Sequence, residues 1–513
     1  MNYSQILPIL SRIPADRQGA KRHYGVHPYF TRRPYNVIKK YITHYTNPGD
    51  KVLDPFGGSG VTAIEAFLEN RHGIHNDINP LANFIVEGIY ELRNVDTEGL
   101  NSAFSTLEKN CLKTIEEVNE KAPASIENYV SKYEFPPNIM LPSNSDVERY
   151  YDLFSPSQLI ILAVLKREID NISDHSVKYA FLLAWSAALG KLNNTFISAK
   201  GRAESRGGSS IFSIYRYKVA ANPVNLDPWS CFHDRFINVM RAHKEIKNII
   251  ETRQFTQEWS GEMTILNKDV EELVPLYHDS IDYILTDPPY GGNISYLDLS
   301  TLWNNWLGTM PDEKLIKKEI IVGGQLKLSE DYYIKRLHDS ITGCFDMLKD
   351  KRWLSVIFQH WNTNYFDAIL SAADDARAEL KSAVSQIGDP IWSMHKKKGK
   401  DSVLAGEFIL TFLKKGHATI KKREKKEADL SSLVDAILSE HTDDTIYGEY
   451  LLNMVVIRAW NYGIIESIRI DKAAFAELLN EKGWHYDKQK HYWSRNSKLY
   501  DEQNEFEFEA KRI

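Results

Sequence analysis

The segment KVLDPFGGSGVTAIEAFLENRHGIHNDINP, residues 51–80, carries the pattern that decides the fold class. Its first four residues are typical of a short apolar strand, and a glycine-rich turn follows over residues 55–60. Apolar residues at helical spacing then predict a helix over 61–68, and a second strand over 73–76 leads to Asp77. Strand, turn, helix and strand in this order predict the opening β-α-β unit of a doubly wound α/β sheet.

The turn has the composition of a site for a nucleoside-containing cofactor. Its glycines let the backbone approach a ligand closely and turn sharply into a helix, whose N-terminus carries partial positive charge. Gly58-x-Gly60-x-x-Ala63, with Asp77 nineteen residues after Gly58, matches the dinucleotide fingerprint, in which an acid about 20 residues on binds a ribose. Both NAD and S-adenosylmethionine fit this pattern. A purely structural strand–helix turn is the alternative, which the pattern favours less.

A second motif, Asp287-Pro288-Pro289-Tyr290, follows the apolar strand pattern IDYILT. It is therefore expected at the carboxyl edge of the sheet, where open α/β folds bind ligands. The residues of this motif suit a reaction at the amine of a nucleic-acid base. Such an amine is a poor nucleophile because its lone pair is delocalised into the ring. Acceptance of its two hydrogens by Asp287 and the Pro288 carbonyl would localise that lone pair toward an incoming methyl group. Tyr290 would stack on a base extruded from a duplex, and a rigid turn after a strand is the weaker alternative.

The pair DPFGGSG (54–60) and TDPPYGG (286–292) resembles the amino-methyltransferases of DNA, which act on adenine or on the 4-amino group of cytosine. Upstream, HPYFTRRPYNVIKKYI (27–42) looks like the family segment that packs against the methionine end of the cofactor. The resemblance covers residues 27–90 and 263–415. It implies a Rossmann-like class I methyltransferase sheet, S-adenosylmethionine as cofactor, and duplex DNA with a flipped base as substrate.

The resemblance also assigns individual positions. The cofactor-binding positions are Phe30 and Thr31, Asp54, Phe56, Gly58 and Gly60 in the glycine motif, Asp77 for the ribose and Asp269 for the adenine. The catalytic positions are Asp287, Pro288, Pro289 and Tyr290. No metal ligand is among them. The first target expected is N6 of adenine, with cytosine N4 as the alternative, and the resemblance leaves room for a cognate restriction or defence-system protein as partner.

The α/β pattern is interrupted, which predicts four regions. Residues 1–90 and 256–415 form the two parts of the methyltransferase domain, and 416–513 form a small C-terminal α+β region with a hairpin at 483–493. Residues 91–255 read as a mostly helical insertion, in which Ser155-Pro156 predicts a helix start. We expect target recognition there. In the family group with this motif order, however, the recognition region usually follows the third strand, whereas here the insertion precedes MTILNKD.

Basic residues in the insertion are candidates for contacts with DNA. The patch comprises Lys191, Lys200, Arg202, Arg206, Arg216 and Lys218, interrupted only by Glu204. We expect Lys200, Arg202 and Arg206 to contact phosphates from a loop rich in glycine, and Tyr215 and Tyr217 to offer stacking surfaces. A solvated surface is the alternative interpretation, and we prefer it for the lysine-rich run at 421–426. The net charge of −6 does not argue against local nucleic-acid binding.

The segment GGNISYLDLSTLWNNWLG (291–308) supports two interpretations equally. It is either a helix that packs on the sheet with Trp303 and Trp306 in the core, or a lid over the flipped base. In the second case Asn293 and Tyr296 would lie nearest the chemistry.

Composition excludes several other classes of protein. At 513 residues, 43% apolar and 26% charged, the chain is expected to form two or three globular units. Its start lacks a signal-peptide pattern, and its most apolar helical run, 180–190, is too short to span a membrane. Three distant cysteines argue against a zinc ribbon or disulfides and fit the cytoplasm.

Two other functions share part of the pattern. RNA guanine-N2 methyltransferases carry similar motifs, but they usually have an N-terminal RNA-binding domain, and only about 25 residues precede HPYF here. A degenerate, non-enzymatic relative would have lost the glycines or the tetrad, and both are intact. DNA methylation is therefore the function that the sequence favours.

Overall fold

The computed structural model describes residues 2–16, 22–197, 208–219, 223–224, 226–256, 258–292, 294–387, 406–416, 425–470, 472–487 and 492–495. The chain forms two compact units. The large unit comprises Asp16–Leu276 and Ile281–Glu330, and the small unit comprises Met1–Ala15, Tyr277–Ser280 and the described part of 331–513. The large unit thus contains the helical insertion together with the glycine motif and the Asp-Pro-Pro-Tyr motif. The division into four regions stays a prediction.

The strands of the described residues are β1 (Lys51–Asp54), β2 (His72–Asn76), β3 (Phe196–Ile197), β4 (Gly208–Ser209), β5 (Glu262–Leu266), β6 (Ile281–Thr286), β7 (Leu348–Phe358), β8 (Ala378–Ile387), β9 (Gly406–Lys414), β10 (Thr445–Ile446), β11 (His485–Asp487) and β12 (Tyr492–Ser494).

The helices of the described residues are α1 (Tyr35–Tyr45), α2 (Val61–Leu68), α3 (Pro80–Glu91), α4 (Thr97–Lys121), α5 (Pro156–Asp170), α6 (His175–Leu189), α7 (Ser210–Ser213), α8 (Pro228–Thr256), α9 (Val270–Tyr277), α10 (Tyr296–Leu307), α11 (Glu313–Ile316), α12 (Glu330–Met347), α13 (Thr363–Asp375), α14 (Leu430–Glu440), α15 (Gly448–Asn461) and α16 (Lys472–Glu481). Helices and strands occur in both units, so the predicted α/β class is confirmed, while its assignment to the class I methyltransferase fold stays a prediction. None of the described helices is long and apolar enough to cross a membrane.

The large unit contains a parallel sheet of four strands in the order β5-β2-β1-β6. Helix α2 packs directly on β2, and Gly73 makes this approach possible. A Cβ atom at Gly73 would lie 2.2 Å from the carbonyl oxygen of Ala63. Every residue of α2 is buried. The predicted β-α-β unit is confirmed, and its close packing brings the ends of β1 and β2 to one sheet edge.

The insertion is mostly helical, as predicted, and contributes α4 to α8 together with the short antiparallel pair β3–β4. Helix α5 begins where Ser155-Pro156 predicts it. The Ser155 side chain accepts the backbone N–H of Gln158, and the Gln158 side chain accepts the backbone N–H of Ser155. This capping box satisfies two N–H groups that the first helical turn leaves free.

The small unit contains an antiparallel sheet in the order β7-β9-β8. The segments LSVIFQH (354–360) and EFILTFLKK (407–415) have the apolar pattern of strands, and β7 and β9 lie there. The segment 333–350 has a helical pattern, whereas α12 ends at Met347. Strand β8 has no strong sequence signal because polar and small residues interrupt it, and its full-length pairing with β9 determines its conformation. The predicted C-terminal hairpin is confirmed by the antiparallel pairing of β11 with β12.

Candidate active site

Strands β1 and β6 bring the two sequence motifs together. They pair in parallel, with Val52 opposite Tyr283, so their carboxyl ends lie at the same edge of the sheet. Asp54 ends β1 and Thr286 ends β6. The Thr286 hydroxyl donates a hydrogen bond of 2.8 Å to Oδ1 of Asp54. The glycine turn, which follows Asp54, and the Asp-Pro-Pro-Tyr tetrad, which follows Thr286, therefore begin side by side.

Backbone hydrogen bonds hold the glycine turn against the end of β2. The N–H of Gly57 donates to the carbonyl of Asn76 at 2.8 Å, and the N–H of Gly60 donates to that of Gly57 at 2.8 Å. Gly60 has φ +78°, and a Cβ there would lie 2.3 Å from a methyl of Val86. Only glycine fits this position without movement of its neighbours.

Asp77 lies directly beside the turn, as the fingerprint predicts. Its Oδ2 accepts the backbone N–H of Gly58 at 2.8 Å, and its Oδ1 accepts that of Asn79 at 2.8 Å. Desolvation raises the pKa of Asp77 from 3.8 to about 6, against the opposing effect of these two hydrogen bonds. The carboxylate is therefore mostly ionised at neutral pH, and its remaining lone pairs are available to ligand hydroxyls.

The ends of β2 and β5 are joined by Asn76. Its side-chain amide donates to the carbonyls of Pro55 and Lys268, and its Oδ1 accepts the N–H of Lys268 at 3.1 Å. Asp269, which follows Lys268, is 1% exposed, and its Oδ2 lies 3.2 Å from Nζ of Lys318. Asp269 therefore lies at the same sheet edge as Asp77, where the resemblance assigns the cofactor adenine.

The Asp-Pro-Pro-Tyr tetrad carries an ion pair that no sequence motif indicated. Nε and Nη2 of Arg33 donate to Oδ2 and Oδ1 of Asp287 at 2.6 and 2.8 Å. The Tyr290 hydroxyl donates to Oδ1 of Asp287 at 2.8 Å and accepts Nη2–H of Arg33 at 2.8 Å. Pro288 is buried, and no donor among the described residues reaches its carbonyl oxygen. Arg33 belongs to the HPYFTRRP segment upstream of β1, and its place in that segment was the only sequence signal that it lies near the site.

Phe30 and Thr31, predicted to line the cofactor site, contact helix α10. Phe30 is 8% exposed, and its ring centroid lies 5.7 Å from that of Tyr296. The hydroxyls of Thr31 and Tyr296 are 3.3 Å apart. Their neighbour Tyr29 lies directly beside the glycine turn, because its ring would meet a Cβ at Gly58 at 3.3 Å. Burial and the charge of Asp77 raise the pKa of Tyr29 well above its usual value.

Two further acids make this region electrostatically unusual. Desolvation raises the pKa of Asp54 from 3.8 to about 7, opposed by hydrogen bonds from Thr286, Thr62 and the N–H of Phe56. Glu319 is 9% exposed, and burial and the charge of Asp298 raise its pKa to about 8, opposed by the N–H of Leu297. The charge of Asp77 also contributes to this shift. A cation bound nearby would stabilise these acids in their charged forms.

Comparison with known proteins points to one family. A family model described as DNA methylase matches residues 5–85, which include the upstream segment, the glycine turn and Asp77. A Type II methyltransferase of Methanocaldococcus jannaschii, M.MjaII, is 23% identical over 337 residues. Another of Kocuria varians, M.MvaI, is 24% identical over 285 residues. Over these stretches the chain resembles the DNA amino-methyltransferases.

These matches cover part of each protein. The alignments span 55% and 54% of this chain, and 62% and 55% of the lengths of the methyltransferases M.MjaII and M.MvaI. The resemblance to DNA amino-methyltransferases that the two motifs indicated is thus confirmed.

Helix α10 shows how the aromatic segment after the tetrad folds. Trp303 is fully buried, its indole N–H donates to the carbonyl of Ser186 at 2.9 Å, and Trp306 is 6% exposed. The prediction that both tryptophans enter the core is confirmed. Tyr296 at the start of the helix approaches Thr31 in the cofactor segment, while Asn293 lies outside the described residues.

The basic patch is only partly described by the structure. Lys200, Arg202 and Arg206 lie outside the described residues, so their contact with phosphates stays a prediction. Tyr217 was predicted as a stacking surface, and this prediction is wrong. It is 1% exposed because its hydroxyl is used inside the protein, where it donates to the carbonyl of Leu299 at 2.7 Å and accepts the N–H of Leu302.

Proposed function

We propose that this chain is an S-adenosylmethionine-dependent DNA methyltransferase that methylates the exocyclic amine of a flipped base. N6 of adenine is the first target proposed, and N4 of cytosine is the alternative. One observation carries the proposal. The Asp-Pro-Pro-Tyr tetrad follows β6 at the sheet edge where Thr286 contacts Asp54, at the start of the glycine turn. A catalytic motif and a nucleoside-binding motif are thus adjacent.

The residues at this edge fit the cofactor. Asp77 uses one lone pair of each oxygen for the backbone N–H groups of Gly58 and Asn79, which leaves acceptors for two ribose hydroxyls. Asp269 is suited to accept from an adenine amine at the end of β5. Phe30, Thr31, Phe56 and Gly60 complete the proposed cofactor site. When bound, S-adenosylmethionine supplies an electrophilic methyl group on a sulfonium sulfur.

The tetrad residues act on the target amine. Asp287 accepts one amine hydrogen and the Pro288 carbonyl accepts the other, which concentrates the nitrogen lone pair toward the methyl donor. Both interactions strengthen as the nitrogen becomes tetrahedral, so they accelerate the reaction rather than only bind the base. Pro289 keeps the turn rigid, and the ring of Tyr290 stacks on the extruded base.

The proposed DNA substrate rests on the comparisons and on the basic loop. The matched relatives are named Type II methyltransferases, which supports a role in DNA methylation within restriction-modification, with a cognate restriction or defence-system protein as a proposed partner in the cytoplasm. We assign target recognition to 91–255 and phosphate contacts to Lys200, Arg202 and Arg206. Replacement of these three residues by alanine should reduce the salt dependence of DNA binding by about 0.9 in slope per lost contact.

Mass spectrometry of the modified nucleoside tests the function directly. The purified protein, with S-adenosylmethionine carrying a tritiated methyl group, is incubated with unmethylated genomic DNA or with transfer RNA, and each product is digested to nucleosides. N6-methyladenine in DNA is the expected product, and N4-methylcytosine would establish the alternative target. Methylated guanine found only in transfer RNA would leave the amine chemistry intact and contradict the DNA assignment.

A further inference from the structure

The Arg33–Asp287 ion pair engages both oxygens of the proposed catalytic carboxylate. Two parallel N–H···O bonds, at 2.6 and 2.8 Å, give the bidentate geometry that only a guanidinium provides. The pair is partly shielded from solvent, because the side chains of Arg33 and Asp287 are only 18% and 22% exposed. The Arg33 guanidinium carbon also lies 5.5 Å from the ring centroid of Tyr290. One arginine therefore contacts both functional side chains of the tetrad.

The chain holds Arg33 in place independently of Asp287. Pro34 follows it, and a residue before proline is restricted to extended conformations. Pro34 is also the N-cap of α1, whose residues Val37, Ile38 and Tyr41 are buried in the large unit. The backbone of Arg33 is thus held both by Pro34, which follows it, and by the packed helix α1. The guanidinium can act as a rigid support for Asp287.

A count of lone pairs indicates what this support does. A carboxylate has about four acceptor positions. Arg33 and Tyr290 both donate to Oδ1 of Asp287, while among the described residues only Arg33 donates to Oδ2. One acceptor position therefore remains, on Oδ2. The proposed reaction requires Asp287 to accept one amine hydrogen.

We propose that Arg33 is the positioning residue of Asp287, which it orients so that Oδ2 accepts the hydrogen of the target amine. This inference rests on the proposed function. Without Arg33 the carboxylate would rotate about its side-chain bonds, and a misplacement of about 1 Å can cost about 10²-fold in rate. A lysine at this position would keep the charge but supply no fork of parallel donors. The two parallel donors of the guanidinium, and not its charge alone, are what orients Asp287 in this proposal.

The test compares Arg33→Ala and Arg33→Lys with Lys40→Ala, which removes an exposed positive charge from the same segment. Methyl transfer to unmethylated genomic DNA is measured under saturating cofactor, and S-adenosylmethionine affinity is measured by calorimetry. Each reaction is repeated with added guanidinium at a concentration that leaves the wild type unchanged. Circular dichroism establishes that each variant is folded.

We expect Arg33→Ala to lower kcat by about 10²-fold with unchanged cofactor affinity, and guanidinium to restore much of that rate. Arg33→Lys should remain impaired, and Lys40→Ala should match the wild type. A fully active Arg33→Ala, a fully active Arg33→Lys, or a folded Arg33→Ala that guanidinium cannot rescue would overturn the positioning role while methyl transfer by the wild type stands. If the wild type methylates no nucleic acid, the proposed function fails and this inference fails with it.

Discussion

Thr286 donates a hydrogen bond of 2.8 Å to Asp54, although 232 residues separate them in the sequence. The two residues end neighbouring strands, and each is followed at once by a motif of the proposed active site. Asp54 is 4% exposed, and burial raises its pKa to about 7. The hydrogen bond therefore offsets part of the cost of burying the Asp54 carboxyl. It also fixes the position of the glycine turn relative to the tetrad.

Thr286→Val tests this link, because valine has nearly the same shape and lacks the hydroxyl. The variant removes one of several hydrogen bonds to a buried carboxyl, and a hydrogen bond to a charged group contributes about 1.5–3 kcal/mol, so we expect a lower midpoint of thermal unfolding and weaker binding of S-adenosylmethionine. Thr286→Ser keeps the donor and serves as the control. Scanning fluorimetry and calorimetry give the two quantities. Equal behaviour of the valine and serine variants would show that the hydrogen bond is dispensable.

Asp77→Ala should weaken binding of S-adenosylmethionine by about tenfold or more. The ribose hydroxyls would lose their acceptor, and the unpaired donors cost about 1–3 kcal/mol. The N–H groups of Gly58 and Asn79 would also lose their partner. Isothermal titration calorimetry measures the affinity, with NAD as a second ligand. Unchanged affinity for S-adenosylmethionine, or tighter binding of NAD, would contradict the assignment of the cofactor.

The affinity for S-adenosylmethionine should fall as the pH drops below about 6. The pKa of Asp77 is raised from 3.8 to about 6, so its carboxylate takes up a proton in this range and accepts ribose hydroxyls less well. One linked proton predicts about a tenfold loss per pH unit below the pKa. Asp77→Asn cannot titrate and should remove this part of the pH dependence. If the profile of Asp77→Asn matched the wild type, another group such as Asp54 would be responsible.

Asp287→Ala should abolish methyl transfer and leave the protein folded and able to bind cofactor. The proposed interaction of Asp287 with the amine would be strongest in the transition state, so its loss should fall on turnover rather than on cofactor binding. Tritiated methyl transfer to duplex DNA measures turnover, and calorimetry measures binding. Wild-type activity in this variant would mean that the tetrad is not the catalytic site.

Tyr290→Ala and Tyr290→Phe separate the proposed stacking role of the tyrosine ring from the role of its hydroxyl. Alanine removes the stacking surface and should impair capture of the extruded base. Phenylalanine keeps the ring and loses only the hydroxyl bonds to Asp287 and Arg33, so much of the activity should remain. Fluorescence of 2-aminopurine at the target position reports base extrusion alongside the transfer rate. Equal loss in both variants would indicate that the hydroxyl, not the ring, is essential.

The local sequence was sufficient for the elements that build the sheet edge. Short apolar segments predicted β1, β2 and β6, and Ser155-Pro156 predicted the start of α5. The glycine turn and Asp77 were predictable because their fingerprint spans only one β-α-β unit, 51–77. Strand β8 was missed, since its pairing with β9 outweighs its weak intrinsic preference.

Only the tertiary structure decided which side chains meet across long stretches of chain. Arg33 reaches Asp287 over 254 residues, and neither residue carries a sequence signal for the other. The buried state of Tyr217 likewise depends on α10, more than 80 residues away. Periodicity and turn composition act between near neighbours along the chain. A hydrogen bond acts only between atoms that the folded chain brings within about 3 Å, and that proximity does not exist before the sheet and its helices have packed.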